Sequence, residues 1–229
     1  HANPELSLEE FNTSELVAGK LAEWGYQVTR GLGKTGVVGS LSKGDSPRTI
    51  GLRADMDALP IYETTDLPWA STVPGKMHAC GHDGHTTILL AAAKYIASPA
   101  CQFNGTVHLI FQPAEEAIGG ADLMIKDGLF EQFPCERIFG LHNMPGLPVG
   151  KLGFYAGNFM ASADTVKITI TGYGGHGAHP ERTVDPIVAG AALVMALQSI
   201  VARNVPPGET AVVSVGTFQA GIASNVIPE

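Results

Sequence analysis

The spacing of apolar and polar positions changes several times along the chain, and each change predicts an element. Residues Ser7 to Trp24 read as a helix, and "GKTGVVGSL" (33–41) is short, apolar and bounded by glycines, as a buried strand is. "TIGLRAD" (49–55) reads as a second strand, and "GTVHLIFQ" (105–112), β-rich and stopped by Pro113, as another. Helical composition returns in "GHTTILLAAAKYIA" (84–97) and "GGADLMIKDGLF" (119–130), while "CERIFGLHN" (135–143) is again strand-like. Strands alternating with helices of this length predict an α/β fold: a largely parallel sheet with flanking helices.

After residue 162 the texture changes. "ADTVKITITGYG" (163–174) alternates as a half-exposed antiparallel strand does. A helix follows from about Asp185 to Arg203, with Ile187, Ala191, Val194, Leu197 and Val201 on one stripe, and "ETAVVSVGTFQAG" (209–221) reads as a further strand. Two domains are therefore expected, 1–162 and a smaller α+β domain at 163–229. The longest apolar stretch, Pro186 to Leu197, falls short of the roughly 20 residues a membrane span needs, so no span is expected.

Composition narrows the function classes. With 229 residues, 45% of them hydrophobic, the chain can bury a sizeable core. A formal net charge of -8, without any Lys/Arg run, argues against nucleic acid and against an anionic membrane surface as partners. Cys80, Cys101 and Cys135 are too few and too odd in number for a disulfide framework, which points to a reducing compartment and a cytoplasmic location.

In α/β sheets ligands gather at the carboxyl ends of the strands, and the polar groups of this chain fall there. Asp55 and Asp57 follow "TIGLR", Glu115 and Glu116 follow "GTVHLIFQ", His142 follows "ERIFGL", and the cluster "HACGHDGH" (78–85) immediately precedes a helix. Cys80, His82, Glu116 and His142 form a mixed sulfur, nitrogen and oxygen donor set suited to zinc, manganese, cobalt or a similar ion. It is too rich in His and carboxylate for a structural zinc site and resembles a hydrolytic one. Adjacent carboxylates at a buried strand end repel unless a cation sits nearby. One of the pair Glu115–Glu116 can ligate while the other takes the proton of a metal-bound water and passes it to a leaving amine. Cys80, near His78, His82 and His85, could instead be a thiolate nucleophile, but that gives Glu115, Glu116 and His142 no task. "GLGKTG" (31–36) is no phosphate-binding loop, because Val28 stands where a glycine is required. In "GYGGHGAHP" (172–180), His176 and His179 lie on a glycine-rich turn from which a histidine could donate to a developing oxyanion.

Taken together, "HANPELSLEE" (1–10), "LRADMDALP" (52–60), "GKMHACGHDGH" (75–85), "LIFQPAEE" (109–116), "FGLHN" (139–143) and "GGHGAHPERTVDP" (174–186) resemble the M20 metallopeptidase family over the whole chain. The likeness is to its amidohydrolase branch of hippurate hydrolases, N-acyl-amino-acid deacylases and auxin-conjugate hydrolases. That resemblance implies an enzyme with two divalent ions (Mn, Zn, Co or Ni) that hydrolyses the amide of a small N-acyl amino acid. It also implies a di-metal catalytic domain and a smaller lid domain through which a homodimer forms. Residue by residue, Cys80, His82, Glu116 and His142 match metal ligands and Glu115 the general base. Asp57 matches an acidic residue that supports the site, and Asp55 lies where other branches place a ligand histidine. His176 matches the lid histidine that polarises the scissile carbonyl, and Asn225 a lid asparagine near the substrate carboxylate. Family members are longer, with a further ligand histidine after the lid, so a chain opening within "HANPELS" and stopping at Glu229 is expected to be truncated at both ends. The alternative is a non-catalytic metal-binding fragment or a decayed relative that lacks that ligand.

Overall fold

In the computed structural model, which describes every residue except 117 and 158, the chain divides into two compact units, His1–Leu152 and Gly153–Glu229. The first is built on five strands: β1 (Gln27–Leu32), β2 (Gly36–Lys43), β3 (Thr49–Asp55), β4 (Gly105–Gln112) and β5 (Arg137–Gly140), in the order β1-β2-β4-β3-β5. The β-rich segment "GTVHLIFQ" takes the centre. Its alternation sends Leu109 and Phe111 to one face and Ile110 to the other, as the two-residue period of a strand requires. On the first face Leu109 and Phe111 pack with Val17 and Leu21 of α1 (Phe11–Glu23) and Leu89 and Ala93 of α2 (His82–Ala97). On the second, Ile110 packs with Met124 of α3 (Gly120–Lys126) and Leu129 of α4 (Leu129–Gln132).

The α/β class with flanking helices is the expected one, but the sheet is mixed rather than largely parallel. β3 runs parallel to β4 and β5, whereas β1–β2 and β2–β4 are antiparallel. β1 and β2 are joined by a turn at residues 33–35, far too short for a parallel crossover. Gly33 (φ 59°) and Lys34 (φ 79°) make that turn, so the strand expected at 33–41 starts only at Gly36. Its partner β1 went unpredicted because most of it is exposed or half-buried and carries no apolar period.

Two helix boundaries also moved. α1 starts at Phe11 rather than Ser7, since Leu8 is left-handed (φ 63°) and the Glu5 carboxylate accepts the first-turn N–H groups of Asn12 (3.0 Å) and Thr13 (2.8 Å). The helix expected over 119–130 breaks into α3 and α4 at Gly128, whose φ of 87° is one that glycine adopts without strain.

In the second unit, α5 (Pro186–Asn204) is capped by Asp185, whose Oδ1 accepts from Ile187 N at 2.8 Å. β6 (Gly175–His176) pairs antiparallel with β7 (Val226–Ile227). Residues 163–172 and 209–221 carry no strand among the described residues, contrary to the alternation. Period two says which side chains a strand would bury, but a ladder also needs a free neighbouring edge, and Val166 and Ile168 stay exposed. At 19 residues, α5 is longer than the apolar run counted from the sequence and by length and composition alone could cross a membrane. That is weak evidence, because soluble helices pass the same test.

Phe111 is fully buried at the centre of the sheet. Phe111→Ala should cost about 3–5 kcal/mol in urea denaturation of the chain; a loss under about 1 kcal/mol would deny β4 its place at the core.

Candidate metal centre

The ends of β3, β4 and β5 and the start of α2 meet in the first unit, and Asp57, two residues beyond β3, organises the meeting. Its side chain is completely buried. One oxygen, Oδ1, faces His82 Nδ1 (3.2 Å) and accepts from Glu115 N (3.0 Å); the other, Oδ2, accepts from Ser7 Oγ (2.7 Å) and Glu116 N (3.1 Å). Burial by itself pushes the Asp57 carboxyl up, but the donors from His82, Ser7 and the two backbone amides outweigh it and bring it down to about 2. An ionised Asp57 accepts a hydrogen bond from Nδ1–H of His82, and in the neutral ring this leaves Nε2 as a bare lone pair.

That nitrogen has no hydrogen-bond partner although it is buried, and neither has Glu116 Oε1, 3.6 Å away. Glu115 Oε2 lies 3.9 Å from the same nitrogen. Lone pairs facing one another out of water are unfavourable unless a proton or a cation lies between them. In the metal-free chain the demand falls on His82: burial, the largest influence, lowers its pKa, yet the Asp57 hydrogen bond and the carboxylates of Asp55, Asp57 and Glu116 raise it overall. Cys80 Sγ and His142 Nε2 approach to 3.5 Å beside the same ring. Two sets of donor atoms, Cys80–His82–His142 and His82–Glu115–Glu116, each lie within 4.8 Å of one another. Soft sulfur, imidazole and carboxylate converging around an orphaned nitrogen fit a divalent transition metal. A free nucleophilic cysteine fits poorly: burial, the hydrogen bond with Glu116 and the neighbouring carboxylates push the Cys80 thiol up to about 12.

Asp55, Arg53, His85 and Asn143 are linked by hydrogen bonds beside this set. Asp55 is buried at the end of β3, with Oδ2 accepting from Arg53 Nη1 (2.7 Å) and Oδ1 facing His85 Nδ1 (2.6 Å). Asn143 reaches His85 Nε2 with both its backbone N (2.9 Å) and its side-chain oxygen, while Nδ1 faces Asp55. Both nitrogens of His85 are thereby occupied. Although Asp55, His82 and His85 also cluster closely enough for an ion, Asp55 and His85 act as a brace that docks the backbone next to His142. Gly81, left-handed at φ 86°, closes the arrangement, since a Cβ there would press on the Asn143 amide at 2.7 Å.

His176 and Asn225 lie in the second unit, where the β6–β7 pairing brings them together. Gly177 N donates to Asn225 O at 2.8 Å, and a Cβ on Gly177 would meet that oxygen at 2.9 Å. His176 Nδ1 accepts from Ala178 N at 3.1 Å, and the His179 ring stands 5.8 Å away.

Residues 51–226 match the model of peptidase family M20/M25/M40. The chain belongs to this family. It is 57% identical over 229 residues to a hippurate hydrolase of Campylobacter jejuni, covering all of this chain and 59% of that protein. To an IAA-amino acid hydrolase of Arabidopsis thaliana it is 45% identical, again over all of this chain and 52% of that protein. Among solved structures, a dinuclear metal-binding M20 peptidase of Bacillus subtilis superposes with a TM-score of 0.67 at 35% identity, covering 100% of this chain and 58% of that one. This M20 chain thus spans a little over half the length of the curated relatives it matches.

Ser7, Arg53, His85 and Asn143 are contacts that sequence reasoning did not assign to the M20 site. Ser7 and Asn143 stand in quoted motifs, but spacing does not pair them with Asp57 and His85, 50 and 58 residues away. His85 stands in the quoted motif, where only its partners, Asp55 and Asn143, tell a brace from a ligand.

A carboxyl held below its ordinary value of 3.8 contributes stability above that value and forfeits it as pH falls toward about 2. Metal-free protein should therefore lose stability between pH about 4 and about 2 more steeply than Asp57→Asn does. Equal acid slopes in denaturant titrations would show that Asp57 is not held in this way.

Proposed function

We propose that this chain carries the metal centre of an enzyme that hydrolyses the amide bond of small N-acyl amino acids, of hippurate or N-acetyl type. The observation that carries the reading is the pair of buried, partnerless atoms, His82 Nε2 and Glu116 Oε1, facing each other beside Cys80 and His142. Family membership, and the hydrolase and deacetylase relatives, support the chemistry. Cys80, His82, Glu116 and His142 would hold two divalent ions, of Mn, Zn, Co or Ni type. Such ions, when bound, lower the pKa of water and polarise a carbonyl.

The chain's own groups supply the remainder. Asp57 and Asp55 keep the ligand side chains in place. Glu115, whose carboxylate is 43% exposed while Glu116 is 21% exposed, is the freer of the pair; it takes a proton from the attacking water and delivers it to the leaving amine. His176 donates to the carbonyl oxygen as negative charge develops there, and Asn225 binds the substrate carboxylate. Residues 1–162 serve as catalytic domain and 163–229 as lid, with a homodimer formed through the lid. The free thiols of Cys80, Cys101 and Cys135 suit a cytoplasmic setting.

Amino-group release from N-benzoylglycine and N-acetyl amino acids, with Mn²⁺ and then with EDTA, tests this. Turnover that depends on metal is expected, and metal uptake without turnover would leave a binding module only. Glu115→Gln should keep its metal while kcat drops roughly 10²- to 10⁴-fold; unchanged kcat would remove Glu115 from the mechanism.

A further inference from the structure

We propose that the segment Glu5–Glu10 is a positioning strap for the metal centre, in which Ser7 and Glu10 fix the carboxylates of Asp57 and of the Glu115–Glu116 pair. The inference rests on the metal-site reading above and concerns residues that touch neither substrate nor metal.

Glu10 is the starting observation. It is fully buried, no salt bridge to it occurs among the described residues, and although it precedes α1 its side chain makes no helix-capping bond. Instead its two oxygens reach across the fold. Oε1 accepts from Ala114 N at 2.8 Å and Oε2 from Thr35 Oγ1 at 2.5 Å. A carboxylate taken out of water on two neutral donors is costly unless those donors need it. Ala114 does. It is fully buried and left-handed (φ 51°), a conformation that side chains other than glycine avoid, so its N–H has no regular ladder to join. Ala114 O in turn accepts from Gly120 N at 2.9 Å, closing the loop that holds Glu115 and Glu116, and a Cβ on Gly120 would collide with Pro113 O. Glu10 therefore pins the residue immediately before the two carboxylates, in the conformation that turns both their N–H groups toward Asp57.

The rest of the segment is anchored on the other side of the site. Leu6 bridges to Ala58, Ala58 N donates to Glu5 O at 2.8 Å, and Ser7 Oγ donates to Asp57 Oδ2 at 2.7 Å. The Glu5 side chain is tied to the first turn of α1 through Asn12 and Thr13. Leu8, like Ala114, is left-handed at φ 63°. A six-residue stretch thus spans from the end of β3 to the end of β4, the two loops whose carboxylates must keep a fixed separation for one ion set.

The test compares Glu10→Leu, Glu10→Gln and Ser7→Ala with the unaltered chain. Three quantities are read: Mn²⁺ affinity by calorimetry, turnover of N-benzoylglycine per metal-loaded site, and Tm in EDTA. Glu10→Leu should weaken Mn²⁺ binding about 10- to 100-fold, the range for groups that orient ligands. Glu10→Gln should rescue it to within about 3-fold, since the amide oxygen still accepts from Ala114 N and the NH₂ can donate to Thr35. Ser7→Ala, a small change in a half-buried side chain, should weaken Mn²⁺ roughly 10-fold and stands in if Glu10→Leu does not fold. A lowered Tm with unchanged Mn²⁺ affinity and unchanged turnover per loaded site would overturn the strap and leave Glu10 a purely structural anchor. If the unaltered chain binds Mn²⁺ but cleaves no amide, the hydrolase reading fails and the strap is decided on affinity alone. No Mn²⁺ binding by the unaltered chain would overturn both.

Discussion

One buried carboxylate, that of Asp57, is the constraint on which the site depends. It has no exposed surface and collects a side-chain hydroxyl, two backbone amides and an imidazole from three separate parts of the chain. Hydrogen bonds to a charged acceptor are the stronger kind, and in a dry setting each lost donor would leave the charge uncompensated. Asp57 therefore fixes at one point the tautomer of His82 and the direction in which Glu115 and Glu116 leave β4. The orphaned His82 Nε2 follows from that: once Nδ1 is committed to Asp57, the other nitrogen faces the Glu116 carboxylate at 3.6 Å with no hydrogen-bond partner.

The sheet supplies the geometry that makes such convergence possible. β3 is parallel to both β4 and β5, so the three strands deliver their carboxyl ends to the same edge. The antiparallel hairpin β1–β2 lies on the far side of β4 and contributes no ligand; its role is to extend the face against which α1 packs. The braces are asymmetric. Asp57 works through backbone amides and holds the carboxylate side of the centre, whereas Asp55 works through His85 and holds the backbone beside His142.

Much of this was legible in the sequence. Asp55, Asp57, Glu115, Glu116 and His142 each follow a β-rich run, and that placement together with the M20 motifs points to the family and to a candidate metal centre. Strand β4 is legible because a buried strand is apolar almost throughout and ends at a residue that breaks the pattern, Pro113, and β3 matches its expected span, whereas β5 is exposed and forms only at Arg137–Gly140 within the expected 135–143. Glycine explains a miss: Gly128 splits a run whose composition is helical throughout, since its positive φ is invisible in the apolar period. The strands expected in the second unit failed for the opposite reason, because alternation is a property of one segment while pairing is a property of two.

What the sequence determined by itself is therefore family membership, the candidate donors and the main elements that end near them: residue type limits which atoms could hold a divalent ion, and local period marks where strands stop. The tertiary structure decided the rest. Which histidine offers a free lone pair, His82 and not His85, depends on partners 25 and 58 residues distant. That Glu10, on the far side of the chain in sequence, sets the backbone before Glu115 is likewise a fact of packing, 104 residues apart. Hydrogen-bond assignment is a competition among all groups brought within about 3 Å, and only the folded chain specifies who the competitors are.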